Sequence, residues 1–278
     1  MNQNERALTF QALHQADEIF VIGNPWDAGS ARILAGLGYR ALATSSSAMA
    51  GTLGRQDGQV TREEALAHCR VIVSATDLPV SADLEKCFAD DLAGVGETVR
   101  LAADTGLVGG SIEDATGDAS RPLFSLDEAV ARVAAAAMAV RTLPFPFTLT
   151  ARTENFLRGN PNLDDTIRRL LAFQAAGADV LMAPGLPDIE AVRKVCAAVS
   201  RPVNFMAGMK GRSFSIAQLA EAGVKRVSVA GSLFRAAMTG LITAATEVQV
   251  QGSFGYLNDA IPTADFNALL AGGQPLPP

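Results

Sequence analysis

Eight short apolar runs recur along this chain, most followed by a helical pattern, and that beat constrains the fold more than any other feature. The runs are Ile19–Gly23, Arg40–Thr44, Val80–Asp83, Gly109–Glu113, Phe147–Arg152, Asp179–Ala183, Val203–Ala207 and Arg226–Ala230. Each is too short for a helix and apolar through its middle, the pattern of a strand buried on both faces. Gly38, Gly106, Gly177 and Gly223 stand just ahead of strands, where a closing helix needs a positive φ. Ser/Thr-x-x-Glu/Gln boxes at Thr61 with Glu64, Ser125 with Glu128 and Ser215 with Gln218 open helices. Strands and helices in strict alternation predict an α/β fold, a parallel sheet closed as a (β/α)8 barrel of the TIM type. An open doubly wound sheet is the competing arrangement, but no Gly-x-Gly-x-x-Gly follows the first strand.

One barrel domain accounts for all 278 residues: a leading helix within 1–16, the barrel over 17–250 and a helical tail over 251–278. The tail helix, Thr263 to Leu270, is surplus to eight units, so Phe266, Leu269 and Leu270 must cap their own barrel or reach a neighbouring subunit. With 49% apolar and 19% charged residues the chain can bury a sizeable core. A net charge of -6, with lysine at four positions only, argues against nucleic acid as a partner. Three cysteines without a CxxC spacing suggest a reducing, cytoplasmic setting. No basic leader and no run near the roughly 18 apolar residues of a membrane span is present, so no membrane association is expected.

Barrels of this kind work at the C-terminal ends of their strands, and the polar residues found there are mostly acidic. Asp83 and Glu85, one residue apart at the end of the third strand, are expected on one strand face, where their repulsion asks for a cation. Glu113 closes the adjacent strand, and the three acids together suit a hard cation, Mg²⁺ by default with Mn²⁺ accepted. His14 and His68 fall in helices, which speaks against histidine acid/base chemistry. Arg152 ends the fifth strand, placed to grip a carboxylate bidentately or to pair with Glu113 or Glu154. The run Thr44-Ser45-Ser46-Ser47-Ala48 offers hydroxyls and successive N–H groups to an oxyanion. Asp27, Asp57, Asp114 and Asn204 complete the polar set; Trp26 either packs or stacks on a ligand, and Cys87, far from any histidine in sequence, reads as an inert thiol. Gly208–Arg212 and Gly231-Ser232 loosely match a barrel phosphate site, which keeps a phosphate-bearing substrate in play.

At these residues the chain resembles the isocitrate lyase/phosphoenolpyruvate mutase superfamily. Asn24-Pro25-Trp26-Asp27-Ala28-Gly29-Ser30-Ala31-Arg32 is similar to its opening motif, and Ala43–Ser46 with Leu53-Gly54 and Asp57-Gly58 to its substrate loop. Ala82–Glu85, Ser111–Asp114 and Ala151–Glu154 resemble its central signatures. The resemblance implies a Mg²⁺-dependent carbon-carbon lyase acting on a small 2-oxo or 2-hydroxy carboxylic acid. Asp83, Glu85 and Glu113 would lie in the metal's shell, some through water, and Ser46, Ser47 and Ala48 would hold the substrate carboxylate with Arg152, Asp57 standing by the gate. It also implies homotetramers in which the last helix packs on a neighbour. One departure narrows the activity: where isocitrate and methylisocitrate lyases carry Lys-Lys/Arg-Cys-Gly-His, this chain reads Ala115-Thr116-Gly117-Asp118-Ala119-Ser120-Arg121. Without that Cys, oxaloacetate decarboxylase-like cleavage through a pyruvate-like enolate is the expectation, with Arg152, Asp57 and Glu113 as the catalytic candidates. Ser45, Ser46, Ser47, Ala48, Trp26, Asp27 and Asn204 are the binding candidates beside them. The alternatives are a phosphonopyruvate-type mutase or hydrolase and a 2-oxo acid binder without turnover.

Overall fold

The computed structural model describes residues 1–211 and 214–272; Arg212, the last residue of the expected phosphate-type loop, and the tail beyond residue 272 lie outside the described residues. Its strands are β1 Phe20–Ile22, β2 Leu42–Ala43, β3 Val80–Asp83, β4 Gly109–Glu113, β5 Thr148–Arg152, β6 Val180–Met182, β7 Val203–Met206 and β8 Arg226–Ser228. All pair in parallel in the order β1-β8-β7-β6-β5-β4-β3-β2, and a single bridge, Gly23 to Leu42, brings β1 and β2 together. The expected barrel is therefore present. Strands β3 and β4 keep their expected bounds, whereas the others are trimmed at their ends.

The helices are α1 Gln3–Gln15, α2 Ala28–Gly36, α3 Ser46–Thr52, α4 Arg62–Ser74, α5 Leu92–Asp104, α6 Leu126–Arg141, α7 Leu163–Ala176, α8 Ile189–Ala198, α9 Ile216–Glu221, α10 Ser232–Gln251 and α11 Thr263–Leu270. The three boxes read from the sequence form as reciprocal caps on α4, α6 and α9. Their packed faces meet the sheet in one continuous apolar core that includes Leu84, Ile112, Leu149, Leu170, Phe173 and Leu181.

Helix α1 closes the bottom of the barrel. Ala7, Phe10 and Leu13 bury against Phe20, Ile22, Ala41 and Val108. The fit depends on Gly109, because a Cβ there would lie 2.9 Å from the Phe10 ring and 2.9 Å from the Thr148 carbonyl oxygen. Phe10 is wholly buried, so Phe10→Ala is expected to cost about 3–5 kcal/mol, read as a lowered denaturation midpoint.

The sequence left the tail helix to cap its own barrel or to reach a neighbouring subunit, and the resemblance implied the neighbour. Within this chain α11 lies on α2 of its own barrel, with Leu269 buried and Arg32 Nη1 donating to the Leu270 carbonyl at 3.1 Å. The uncovered apolar surface belongs to α10, which buries none of its side chains and leaves Leu241 59% and Ile242 64% exposed, and to Phe254 and Leu257 beyond it.

Candidate active site

Strand alternation turns every second side chain inward, and toward the C-terminal end of the barrel those inward positions are polar. Asn24, Ser45, Asp83, Arg152, Asn204 and Arg226 are among the residues lining an inner cavity of about 60 Å³. Above it opens a mouth of about 560 Å³ bordered by Ser46, Asp57, Glu85, Glu113, Arg152 and Arg158. A further crevice of about 380 Å³ lies at the opposite end, by His14, Asp179 and Arg201, where conserving the barrel rather than chemistry is the usual business of the fold.

Arg152 is the centre of the site. Its Nη1 lies 3.5 Å from Glu113 Oε2 and 3.8 Å from Asp83 Oδ2, and its Nε donates to Glu154 Oε1. The register explains the meeting, since Glu113 pairs directly with Arg152 and Asp83 with Ser111 on the strand between. Burial alone would pull the Arg152 pKa down; Glu113, Glu154 and Asp83 overcome it and hold it up. Burial pushes the Glu113 carboxyl up against the pull of Arg152. The ion pairs with Glu113 and Glu154 weighed in the sequence are both present.

Glu85 reaches the site by a different route from the expected one. Strand β3 stops at Asp83, so alternation does not carry Glu85 to the same face. Instead the chain turns through φ of 50° at Glu85, 62° at Cys87 and 48° at Phe88, a left-handed stretch unusual for residues with side chains. The Glu85 N–H donates to Asp83 Oδ1 at 3.2 Å. Burial, with the charges of Asp83 and Asp57 adding to it, raises the Glu85 carboxyl to about 7, and its Oε1 is buried without a hydrogen-bond partner. Cys87, fully buried, has its thiol pushed up to about 12 by burial, in keeping with an inert group.

The donor set around this turn is all carboxylate oxygen, and an orphaned buried oxygen lies within it, so the residues fit a hard divalent cation. They do not form a closed cage: among the described residues no group of three His, Cys, Asp or Glu side chains is arranged to hold a metal unaided. Arg152 stands close to both Asp83 and Glu113. A cation held there would keep part of its water shell, which is how Mg²⁺ ordinarily binds.

The serine run lies where the sequence put it. Ser45 precedes α3 at its N-terminus without a side-chain capping bond, its Oγ is 3.1 Å from Ser47 Oγ, and the Ser46 N–H donates to Asp83 Oδ2 at 3.4 Å. Gly231 backs this loop, since a Cβ there would come within 2.7 Å of Ser47 Oγ. Asn204 is buried on β7 at the inner cavity, and Asp57 is exposed at the mouth. Trp26 and Asp27 border neither of the two cavities. The Trp26 ring meets Phe234 edge-on at 5.6 Å, and Asp27 is spent as the cap of α2, accepting from Ser30 N and Ser30 Oγ.

Other residues brace the site. Glu154 anchors Arg152, and Arg158 Nε lies 3.3 Å from Glu154 Oε2. Asp114 accepts from Glu154 N at 2.7 Å, Thr153 Oγ1 at 2.9 Å and Arg169 Nη1 at 3.1 Å, tying together the loops after β4 and β5. The Glu-Asp and Arg-Thr-Glu strings did flag Asp114 and Glu154. Nothing local flags Arg169, Arg158 or Arg226.

Comparison with known proteins accords with this geometry. The profile of the family described as phosphoenolpyruvate phosphomutase matches residues 10–249. A solved protein from Burkholderia cenocepacia J2315, provisionally described as a lyase/mutase, is 49% identical with a TM-score of 0.95, covering 98% of this chain and 99% of that one. The oxaloacetate decarboxylase of Bradyrhizobium diazoefficiens is 32% identical over 65% of this chain and 64% of its own length. A phosphonopyruvate hydrolase solved with oxalate and Mg²⁺ shares the fold, at 20% identity and a TM-score of 0.85 over 98% of this chain and 95% of that one.

Proposed function

Since this chain belongs to the phosphoenolpyruvate phosphomutase family, within the isocitrate lyase/phosphoenolpyruvate mutase superfamily of lyases and mutases, we propose that it is a Mg²⁺-dependent lyase of oxaloacetate decarboxylase type. Its substrate is a small 2-oxo or 2-hydroxy carboxylic acid, cleaved at a C–C bond. The observation that carries this reading is the half-buried Arg152 set between Asp83 and Glu113 beneath an open mouth. Such a place can take a negatively charged 2-oxo acid and the charge it develops.

Asp83, Glu85 and Glu113 would hold the cation, in part through waters, and when bound it supplies electrophilic stabilisation of a developing oxyanion. The Ser46–Ala48 backbone and the Ser45 and Ser47 hydroxyls hold the 1-carboxylate, and Arg152 orients the 2-oxo oxygen through its N–H groups. When the bond from C3 to the departing carboxylate breaks, its electron pair moves toward that oxygen and CO₂ leaves. C3 then takes a proton, which water can provide. No side chain of residues 115–121 has to move a proton in this sequence, and that segment supplies none of the Cys, His or Lys a retro-aldol lyase uses. It is folded on itself, Thr116 N–H donating to the Pro122 carbonyl at 3.1 Å and Asp118 Oδ1 accepting from Ser120.

Incubation of the purified chain with Mg²⁺ and oxaloacetate is expected to release CO₂ and pyruvate above the buffer rate. Phosphate release from phosphonopyruvate with no C–C substrate consumed would select the mutase or hydrolase reading, and tight 2-oxo acid binding without any product would select the binder. We further propose a cytoplasmic homotetramer assembled on the apolar face of α10. Light scattering should then give four times the 28.9 kDa of one chain, and Leu241→Asp with Ile242→Asp should reduce it.

A further inference from the structure

Beneath the inner cavity lies a guanidinium that the chemistry above does not use. Arg226 opens β8, points inward and is 5% exposed. It donates through Nε to Asn204 Oδ1 at 2.8 Å, through Nη2 to Thr150 Oγ1 at 3.0 Å and through Nη1 to His14 Nε2 at 3.3 Å. All three acceptors are neutral. His14 is fixed in that role, because its Nδ1–H is committed to the Phe10 carbonyl at 2.8 Å, which leaves Nε2 with the lone pair. Burial, with Arg226 beside it, takes the His14 pKa down to about 3, so the ring is uncharged at neutral pH.

The other arginines around the site are in ion pairs: Arg152 with Glu113, Asp83 and Glu154, Arg158 with Glu154, Arg169 with Asp114. Arg226 makes no ion pair among the described residues, and burial lowers its pKa to about 9. At neutral pH it is charged. Its hydrogen bonds are thus satisfied by groups that do nothing to cancel its charge, in the interior where an uncompensated charge is costly. Asn204, which it orients, borders the cavity with it and passes its own Nδ2 hydrogen to Ser228 Oγ at 3.0 Å.

We infer that Arg226 is a positioning residue: a fixed positive charge under the pocket, left unpaired by the protein so that the anionic ligand balances it, and a brace that sets the Asn204 amide. The inference rests on the reading of the site as one for a carboxylate ligand. It accounts for a buried cation held only by neutral groups, and it makes anion affinity depend on a side chain one layer below the ligand.

The test adds charge at His14, which does not line the inner cavity, and removes it at Arg226, which does. His14→Glu introduces a carboxylate beside Arg226 from the bottom of the barrel, and His14→Gln keeps a neutral acceptor there. Oxalate binding by calorimetry to the full-length, Mg²⁺-loaded chain is expected to weaken at least about tenfold in His14→Glu, the scale of one interior charge interaction, and less than about threefold in His14→Gln. Arg226→Met should match His14→Glu, and Arg226→Lys should recover most of the affinity; this pair carries the same comparison if His14→Glu fails to fold. Wild-type affinity in His14→Glu or Arg226→Met overturns the inference, as does Arg226→Lys falling as far as Arg226→Met, which would make shape rather than charge the cause. Absence of oxalate binding in the wild-type chain itself overturns the carboxylate reading, and this inference with it.

Discussion

Arg152→Met is expected to lower kcat/KM by roughly 10²–10³-fold, the scale at which loss of one preorganised donor to a developing oxyanion is felt. The same substitution leaves Asp83, Glu113 and Glu154 facing one another without the guanidinium that now lies between them. Removing one partner of a buried ionic cluster typically costs about 3–5 kcal/mol, so the denaturation midpoint should fall at pH 7. It should fall less in the presence of Mg²⁺. Arg152→Lys separates the two effects: it restores a charge to the acids and most of the stability, but it lacks the planar fork and should recover little of kcat. Steady-state kinetics and urea titration on the two variants decide the matter, and near-wild-type turnover in Arg152→Met would remove Arg152 from the chemistry.

Asp83→Asn should have the other large effect, weakening Mg²⁺ binding by roughly 10²-fold, with activity recovering only at raised metal concentration. Glu85→Gln should weaken it less, about tenfold, as expected of a carboxylate that would reach the cation through water. Chelation should abolish turnover of the wild-type chain, and Mg²⁺ or Mn²⁺ should restore it. Calorimetric titration of each ion into the chelated protein reads the affinity apart from the activity. Undiminished binding in Asp83→Asn would place the cation elsewhere.

Acid should weaken the fold through His14 before most carboxylates titrate. The folded-state pKa of about 3 lies below the ordinary histidine value of 6.5, so the unfolded chain binds the extra proton. The stability is complete above pH 6.5 and is lost progressively as pH falls toward 3, by an amount on the order of a few kcal/mol. His14→Gln should flatten the decline of the denaturation midpoint between pH 6.5 and 5, with wild-type slope in that interval as the contrary result.

The barrel was legible because its signals are local. Glycines and capping boxes mark helix ends within a few residues, and strands β3 and β4 could be bounded because Asp83 and Glu113 interrupt apolar runs. Convergence of Asp83, Glu113 and Arg152 followed from consecutive parallel strands. Glu85 was placed near the right neighbours by the wrong geometry: alternation was extended past the point where the strand stops, and nothing in Glu-Lys-Cys-Phe announces left-handed backbone. The capping role of Asp27 was open to reading in the sequence, for Asp27-Ala28-Gly29-Ser30 is a capping spacing as much as a site motif. Arg226 was out of reach, because its role depends on His14, 212 positions away, and on which way one strand residue faces.

The joint between β1 and β2 gives the molecule a preferred place to breathe. One bridge, the backbone hydrogen bonds of Gly23 with Ala41 and Ala43 at 3.2 and 2.8 Å, and the Asn24 amide on the Ala43 and Thr44 carbonyls span it, while β4 and β5 share five registered pairs. Amide protons along that joint should therefore exchange with solvent sooner than those of the opposite wall. The serine loop hangs from its β2 side, so a carboxylate seated on that loop would act as a stitch across the thinnest part of the wall.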